Sequence, residues 1–530
     1  MSKTLALLLM LSTLPAWAKP PRLTLLVVVD AMGSDLLMRM KPRLKFGLAT
    51  LTDQGAYYPT ARYEQAETVT AIGHATLATG ANPWRHGLVG NHALNRSTGK
   101  VERALADANH PVLDAPMSSD DVSPENLMAE TLSDRLKTAT YGRGKAIAVS
   151  GKARSAVAMA GRLGQAYWVH EESGKFVSGT FYFKELPPWV RQFNERKLLS
   201  SYLGKPWTLT GAAKEYSGED NRAFESDWHG LGRIFPHPVN SLDAVVATPY
   251  LNDAIAQMAK EAIVNEQLGK DEIPDLLSVS FSGIDRVYHL YGPYSWEIQD
   301  AMVRLDKTIA DLISAAEKAA GGRNNLVVAL SADHGGAAIP EEWTAQGLRA
   351  SRVSPVLLQK GLSKELISKF GIDPVLGIDE VDLYLSSKAA TDIRIDPATI
   401  RRAAAQWLSA QPSILTAVAK DDLWSIADTT GYLRTLRVGY YPERSGDVLF
   451  LLRPFQVLTS ETTGTSHGTV YAYDSQVPVV FFGKSIKPGL YRQEIHPTDI
   501  APTLASLMEF GPPASCEGTT RAEALVTSGR

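Results

Sequence analysis

The sequence predicts an α/β fold: a large, doubly wound, mostly parallel sheet between layers of helices, with an inserted aromatic-rich subdomain. Three observations carry this expectation. Residues 23–29, 276–281, 326–330 and 479–482 are short, continuous apolar runs rich in β-branched side chains, as expected of strands buried on both faces of a parallel sheet. Segments with helical periodicity lie between them. Strand, polar loop, helix, strand is the rhythm of a doubly wound sheet.

In chain order, residues 1–18 read as a cleaved export signal. Lys3 supplies the positive end, Leu5 to Leu11 the apolar stretch, and Ala16-Trp17-Ala18 a small-x-small cleavage site. The apolar stretch is shorter than the roughly 20 residues that span a bilayer. The mature chain, residues 19–530, is expected to form one catalytic domain without a membrane anchor, exported to the periplasm or secreted. The first apolar run ends at Asp30. Residues 160–245 carry Tyr167-Trp168, Trp189, Trp207 and Trp228 but lack the strand–helix rhythm, so they are expected to be an insertion folding over the sheet edge. The run at 276–281 leads into Gly283-Ile284-Asp285. Residues 296–320 place Ile298, Met302, Leu305, Ile309 and Leu312 on one helical face, closed by Gly321-Gly322. The run at 326–330 leads into Asp333-His334. A further helix is expected over 397–408, with Ile400, Ala404 and Trp407 on one face. Ligands of such sheets sit beyond the carboxyl ends of the strands, where Asp30, Asp285 and Asp333-His334 fall.

Charge and cysteine content bound the function. A formal net charge of −3 argues against nucleic-acid binding, which leaves a basic footprint. A few local cations suffice for small anionic substrates. The single cysteine, Cys516, excludes an intramolecular disulfide.

Asp285 and His289 are four apart and share a helical face, so both can grip one cation. Asp333 and His334 are adjacent, and in a loop their side chains can diverge toward two neighbouring ions. His467 stands between small residues, and Asp30 adds a third carboxylate. Alone, an Asp after a strand is usually a helix cap, and a lone His is usually satisfied structurally. Together, imidazoles and carboxylates suit a pair of zinc-like ions. Two such ions roughly 3.5–4 Å apart can stabilise the entering and leaving oxygens of a phosphoryl transfer. Thr70 stands just before a helix-like stretch, where it is either a cap or a nucleophile facing the positive helix end. Lys152 and Arg154 are two apart, which on an extended segment points both cations to one face and toward one phosphate. An ammonium and a guanidinium answer the extra charge that a monoester carries and a diester lacks.

Asp30 after the first strand, Thr68-Val69-Thr70-Ala71-Ile72-Gly73-His74, Gly90-Asn91, Gly283-Ile284-Asp285 with His289, Ala332-Asp333-His334-Gly335-Gly336 and Ser466-His467-Gly468 stand in an order that resembles the alkaline phosphatase superfamily. Within it, the chain most resembles the phosphate-irrepressible, Thr-nucleophile alkaline phosphatases, relatives of the nucleotide pyrophosphatase/phosphodiesterases. The resemblance spans nearly the whole mature chain. It implies two Zn2+ ions, one held by Asp285, His289 and His467, the other by Asp30, Asp333 and His334 with Thr70 also bound. It implies a phosphothreonine intermediate on Thr70, and a hydrogen bond from Asn91 to a phosphoryl oxygen. Lys152 and Arg154 occupy the places of the pair that marks the phosphomonoesterases of this branch. His74, Thr68 and Thr76 are expected to be structural. The expected substrates are small phosphate monoesters. The rival readings are a phosphodiesterase with the same metal core and a non-catalytic phosphate-ester binding protein. The Cys/Ser-x-Pro-x-Arg setting of sulfatases is absent.

Overall fold

A computed structural model describes residues 19–96, 98–116, 121–425 and 431–526. The expected export signal, 1–18, lies outside the described residues. A nine-stranded sheet forms the centre of the molecule. Its strands in chain order are β1 (Leu23–Val29), β2 (Ala56–Arg62), β3 (Ala146–Ser150), β4 (Gln165–His170), β5 (Lys175–Val177), β6 (Asp275–Phe281), β7 (Leu326–Ser331), β8 (Gln476–Gly483) and β9 (Gly489–Leu490). Across the sheet they lie in the order β9-β2-β8-β7-β1-β6-β3-β4-β5. All run parallel except β8 and β5. Every residue of β1, β6 and β7 is buried, because helices cover both faces of the sheet and leave water neither side.

Four helices position the site: α1 (Thr70–Thr79), α2 (Ala153–Ala160), α3 (Gly283–Tyr291) and α4 (Trp296–Ala320). The apolar face of α4 that periodicity predicted is buried, and Gly321 ends the helix in the left-handed conformation at φ 78°, which only glycine adopts cheaply.

Three expectations are corrected. β8, read as another strand of the same kind, runs antiparallel, pairing Gln476 with Arg62 and Gly483 with Val327. The loop bearing His467 lies at the carboxyl ends of the parallel strands, so a strand entered from that end runs back against them. The helix expected over 397–408 forms as Pro397–Ser409, but it belongs to a second sheet. That antiparallel sheet has the order Val375–Asp379, Asp382–Leu385, Val448–Leu452, Ile414–Ala419. With the helix Pro355–Phe370 it encloses a separate core around Leu362, Leu366, Leu408 and Phe450. Periodicity reveals that a helix has an apolar face, not which sheet covers it. Finally, the segment 160–245 contains β4 and β5 at the sheet edge. Most of its aromatic side chains join the main core, where Tyr167 packs on Phe183 and Trp189, while Trp228 stays exposed. Trp207 is fully buried and donates its Nε1–H to Asp300 Oδ2 at 2.7 Å. Among the described residues no helix is long and apolar enough to cross a membrane.

Candidate active site

The site lies beyond the carboxyl ends of β1, β3, β6 and β7. β1 hands the chain directly to Asp30, whose backbone N–H donates to Phe281 O at 3.2 Å. β6 leads through Ser282 into α3, which carries Asp285 and His289 on one face, with His289 Nε2 3.3 Å from Asp285 Oδ1. His467 Nε2 reaches the same oxygen at 3.7 Å. β7 ends at Ser331 and delivers Asp333 and His334. These two side chains do not diverge. His334 Nε2 lies 3.5 Å from Asp333 Oδ2 and 3.5 Å from Asp30 Oδ1. The rings of His334 and His467 stack at 3.7 Å and bring the two sets side by side.

Among the described residues, ligand-type atoms therefore gather in two groups, Asp285 with His289 and His467, and Asp30 with Asp285 and His334. The first is the expected triad. In the second, Asp285 stands where Asp333 was expected, because its carboxylate lies between the two groups and faces both. Asp333 is not remote: its Oδ1 accepts from the backbone N–H of Ala31 and of His334, both at 3.1 Å, which turns Oδ2 toward His334.

These side chains suit divalent cations. His289 Nδ1 lies 2.9 Å from Thr465 O, His334 Nδ1 2.7 Å from Gly335 O and His467 Nδ1 2.9 Å from Thr68 O. A carbonyl can only accept, so each Nδ1 carries the proton and each Nε2 presents a lone pair to the site, the usual arrangement around metal-ligating histidines. Among the described residues, buried Asp30 Oδ1, Asp285 Oδ1 and His334 Nε2 have no hydrogen-bond partner, a costly state that bound cations relieve. Burial, with Asp285 and Asp333 alongside, pushes the Asp30 carboxyl up to about 8. Burial also pushes His467 well below the usual imidazole range, and His334 and His289 beside it push the same way. Burial works against the Asp285 carboxylate too, yet Lys152 and His289 hold it well below the ordinary range. Three carboxylates packed this closely demand positive charge, and a divalent ion would reverse the penalty on Asp30.

Thr70 is the first residue of α1. It is not the cap: Val69 holds that place, with no side-chain cap bond. Thr70 Oγ1 instead lies 3.4 Å from Lys152 Nζ and 3.4 Å from Arg154 Nη2. Lys152 and Arg154 reach it in a way the sequence reading missed. They do not share one extended segment; Lys152, itself extended, stands at the N-cap position of α2 without a side-chain cap bond and Arg154 sits in the first turn, because β3 turns at Gly151 straight into an alanine-rich helix. Lys152 Nζ also bridges Asp30 Oδ2 at 2.6 Å and Asp285 Oδ2 at 2.5 Å. Asn91 Oδ1 accepts from the Ala71 N–H at 3.1 Å, which commits the amide oxygen and leaves its NH2 to donate elsewhere. Asn91, Lys152 and Arg154 line one cavity of about 470 Å3.

His74, expected to be structural, has both ring nitrogens engaged, Nδ1 2.8 Å from Thr70 O and Nε2 2.7 Å from Ser280 Oγ. The carbonyls of Thr68 and Thr465 that orient the histidines left no mark in the sequence, since any residue supplies a carbonyl.

Gly73 lets α1 lie against Asp333. A Cβ there would collide with the Asp333 carbonyl oxygen and side chain. Gly73→Ala is expected to cost on the order of 1–3 kcal/mol and to slow turnover, because the backbone carrying Thr70 or Asp333 must shift. Denaturant unfolding and steady-state rates check this; wild-type values in both would show that the contact yields freely.

Residues 24–469 match the type I phosphodiesterase / nucleotide pyrophosphatase family. The chain belongs to this family, within the alkaline phosphatase superfamily. Its relatives in the family include alkaline phosphatase PafA of Elizabethkingia meningoseptica, 31% identical over 526 residues, covering 95% of this chain and 94% of the relative. Alkaline phosphatase PhoV of Synechococcus elongatus is 29% identical over 517 residues, covering 96% of this chain and 93% of the relative. The crystal structure of wild-type PafA superposes with a TM-score of 0.91 at 30% identity, covering 96% of this chain and 99% of that one. A PafA variant altered at one threonine, one asparagine, one lysine and one arginine superposes at 0.90, covering the same shares at 29% identity. The family's large, mostly parallel sheet with flanking helices is thus the fold of this chain.

Proposed function

We propose that the chain hydrolyses phosphate monoesters to an alcohol and inorganic phosphate, with Thr70 as nucleophile and two zinc ions as cofactors. The observation that carries this is a hydroxyl at the start of a helix, 3.4 Å from both an ammonium and a guanidinium. On this reading Asp285, His289 and His467 hold one ion, and Asp30, Asp333 and His334 with Thr70 the other, with the Asp285 carboxylate facing both. When bound, the ions supply Lewis acidity, lowering the hydroxyl pKa and offsetting charge on the entering and leaving oxygens. The names of the PafA and PhoV relatives support the reaction class. The altered PafA residues support the residue set: they are the same four types in the same order, with lysine and arginine two apart.

The chain's own residues then bind, orient and attack. The Arg154 guanidinium and Asn91 amide take non-bridging phosphoryl oxygens, and the Lys152 ammonium, on its flexible stem, answers the remaining negative charge. In the first displacement Thr70 Oγ1 forms a bond to phosphorus as the ester P–O bond breaks, and the alcohol leaves with a proton. In the second, a water oxygen bonds to phosphorus, the Thr70–phosphorus bond breaks, phosphate leaves, and Thr70 regains its proton. Positioning and charge stabilisation supply most of the rate, as is general for phosphoryl transfer. Export to the periplasm or beyond accompanies this reading, as do small-molecule rather than nucleic-acid substrates.

The family's description favours one rival, hydrolysis of diesters by the same core. Lys152 and Arg154 weigh against it, since two cations beside Thr70 match a dianion better than a monoanion. Arg154→Ala is expected to lower kcat/KM on a monoester roughly a hundredfold, with a far smaller loss on a diester of the same leaving group. Equal losses, or a wild-type enzyme faster on the diester, would reverse the assignment.

A further inference from the structure

His74 is fully buried behind the site and touches three of the elements that build it. Its Nδ1 lies 2.8 Å from the Thr70 carbonyl oxygen and 3.2 Å from Asp333 Oδ2, and its Nε2 lies 2.7 Å from Ser280 Oγ. A carbonyl can only accept, so Nδ1 carries the proton and Nε2 accepts from the Ser280 hydroxyl, which fixes the tautomer. The ring thus holds its one N–H between the residue that bears the attacking hydroxyl and a carboxylate assigned to the ion beside it. Ser280 in turn stands in β6, two residues before Ser282, the link to α3 and Asp285.

The same junction is closed from two other sides. Gly73 packs directly on Asp333. Tyr63, buried just after β2, donates its hydroxyl to Ala332 O at 2.9 Å, with Gly73 O 3.4 Å away. The Thr70 hydroxyl is held more loosely. It makes no cap bond, and it meets Lys152 and Arg154 at 3.4 Å, longer than most N–H···O bonds. Simple packing would be served better by an apolar side chain, which fills a buried space without desolvating an imidazole.

We infer that His74 is a positioning residue: it sets Asp333 Oδ2 against the start of α1, so that the Thr70 hydroxyl and the ion assigned to Asp333 keep a fixed separation. The inference rests on the reading of Thr70 as a nucleophile beside a bound ion, and extends it to the group that holds the two in register. Removing a group that orients a metal ligand typically costs roughly ten- to a hundredfold in metal affinity or activity. Misplacing reacting atoms by about 1 Å costs a similar factor.

The test compares His74→Leu, which fills the space without a donor, with His74→Asn, whose amide N–H takes the place of Nδ1–H. In His74→Leu, kcat on phenyl phosphate should fall roughly ten- to a hundredfold. KM should change by less than about twofold, because Asn91, Lys152 and Arg154 still hold the phosphoryl group. One zinc equivalent should weaken by a factor similar to the loss in kcat in a measured free-zinc buffer. With cobalt in place of zinc, the visible absorption of that site should shift. His74→Asn should recover most of each loss. Ser280→Ala keeps the ring but frees its tautomer, and should lower kcat roughly threefold or more; it covers the case in which His74→Leu does not fold. Wild-type kcat and zinc affinity in His74→Leu would overturn the inference. So would equal losses in the leucine and asparagine variants, or an unchanged kcat in Ser280→Ala, since either reduces the ring to packing. A wild-type enzyme inert on phenyl phosphate would overturn the monoesterase reading, whereas the zinc affinities would still decide whether His74 holds Asp333.

Discussion

Thr70→Ala is expected to reduce phosphate-ester turnover roughly a thousandfold or more, since removing the nucleophile of a covalent mechanism leaves only binding and charge stabilisation. The substitution is small in other respects. Thr70 is buried at the first position of α1, and its side chain neither caps the helix nor fills the hydrophobic core. Alanine is also a good helix former. The variant should therefore fold and keep most of its metal, while wild-type protein stopped mid-turnover with acid should carry phosphate on Thr70. Mass spectrometry reads the second result and metal analysis the first. Near-normal turnover in the alanine variant would remove Thr70 from the reaction. Lost metal together with lost stability would mean that Thr70 serves the structure instead.

Asp285→Ala is expected to have the other large effect, and for a different reason. Its carboxylate contributes to both groups of ligand-type atoms and is bridged by Lys152 at 2.5 Å. Losing it takes one negative charge from each group at once and releases the ammonium that faces Asp30. Both metal equivalents should weaken, and turnover should fall below one-thousandth of wild type. The comparison variant is His289→Ala, which belongs to only one group and should cost one equivalent more than the other. Metal content after dialysis against a measured free-zinc buffer distinguishes them. An Asp285→Ala protein that retains two equivalents would show that the ions are held elsewhere.

How far the site could be read before folding depended on the range of the interaction. Asp285 and His289 were legible as a pair because four residues is a helical turn, a spacing that local geometry sets. Asp30 was legible because a strand of seven residues, six of them apolar, points its carboxyl end somewhere, and an acid there is conspicuous. Asp333 and His334 were found but misjudged: adjacency suggested divergence, whereas hydrogen bonds from Ala31 and His334 turn the carboxylate back onto the neighbouring imidazole. Lys152 and Arg154 were paired correctly on the wrong local structure, a helix start rather than an extended run.

From the order of its residues alone, then, four strands of the central sheet, the helix over 296–320 and the residue types available for cation binding were legible, since periodicity and chemical type are local properties. Folding decided which of those residues meet. The antiparallel course of β8, the separate sheet behind Pro397–Ser409, the position of Asp285 between two ligand groups and the approach of Lys152 and Arg154 to Thr70 all join segments distant in sequence. Such contacts depend on how whole elements pack, and packing is selected by the shape and burial of the entire chain rather than by any one stretch of it.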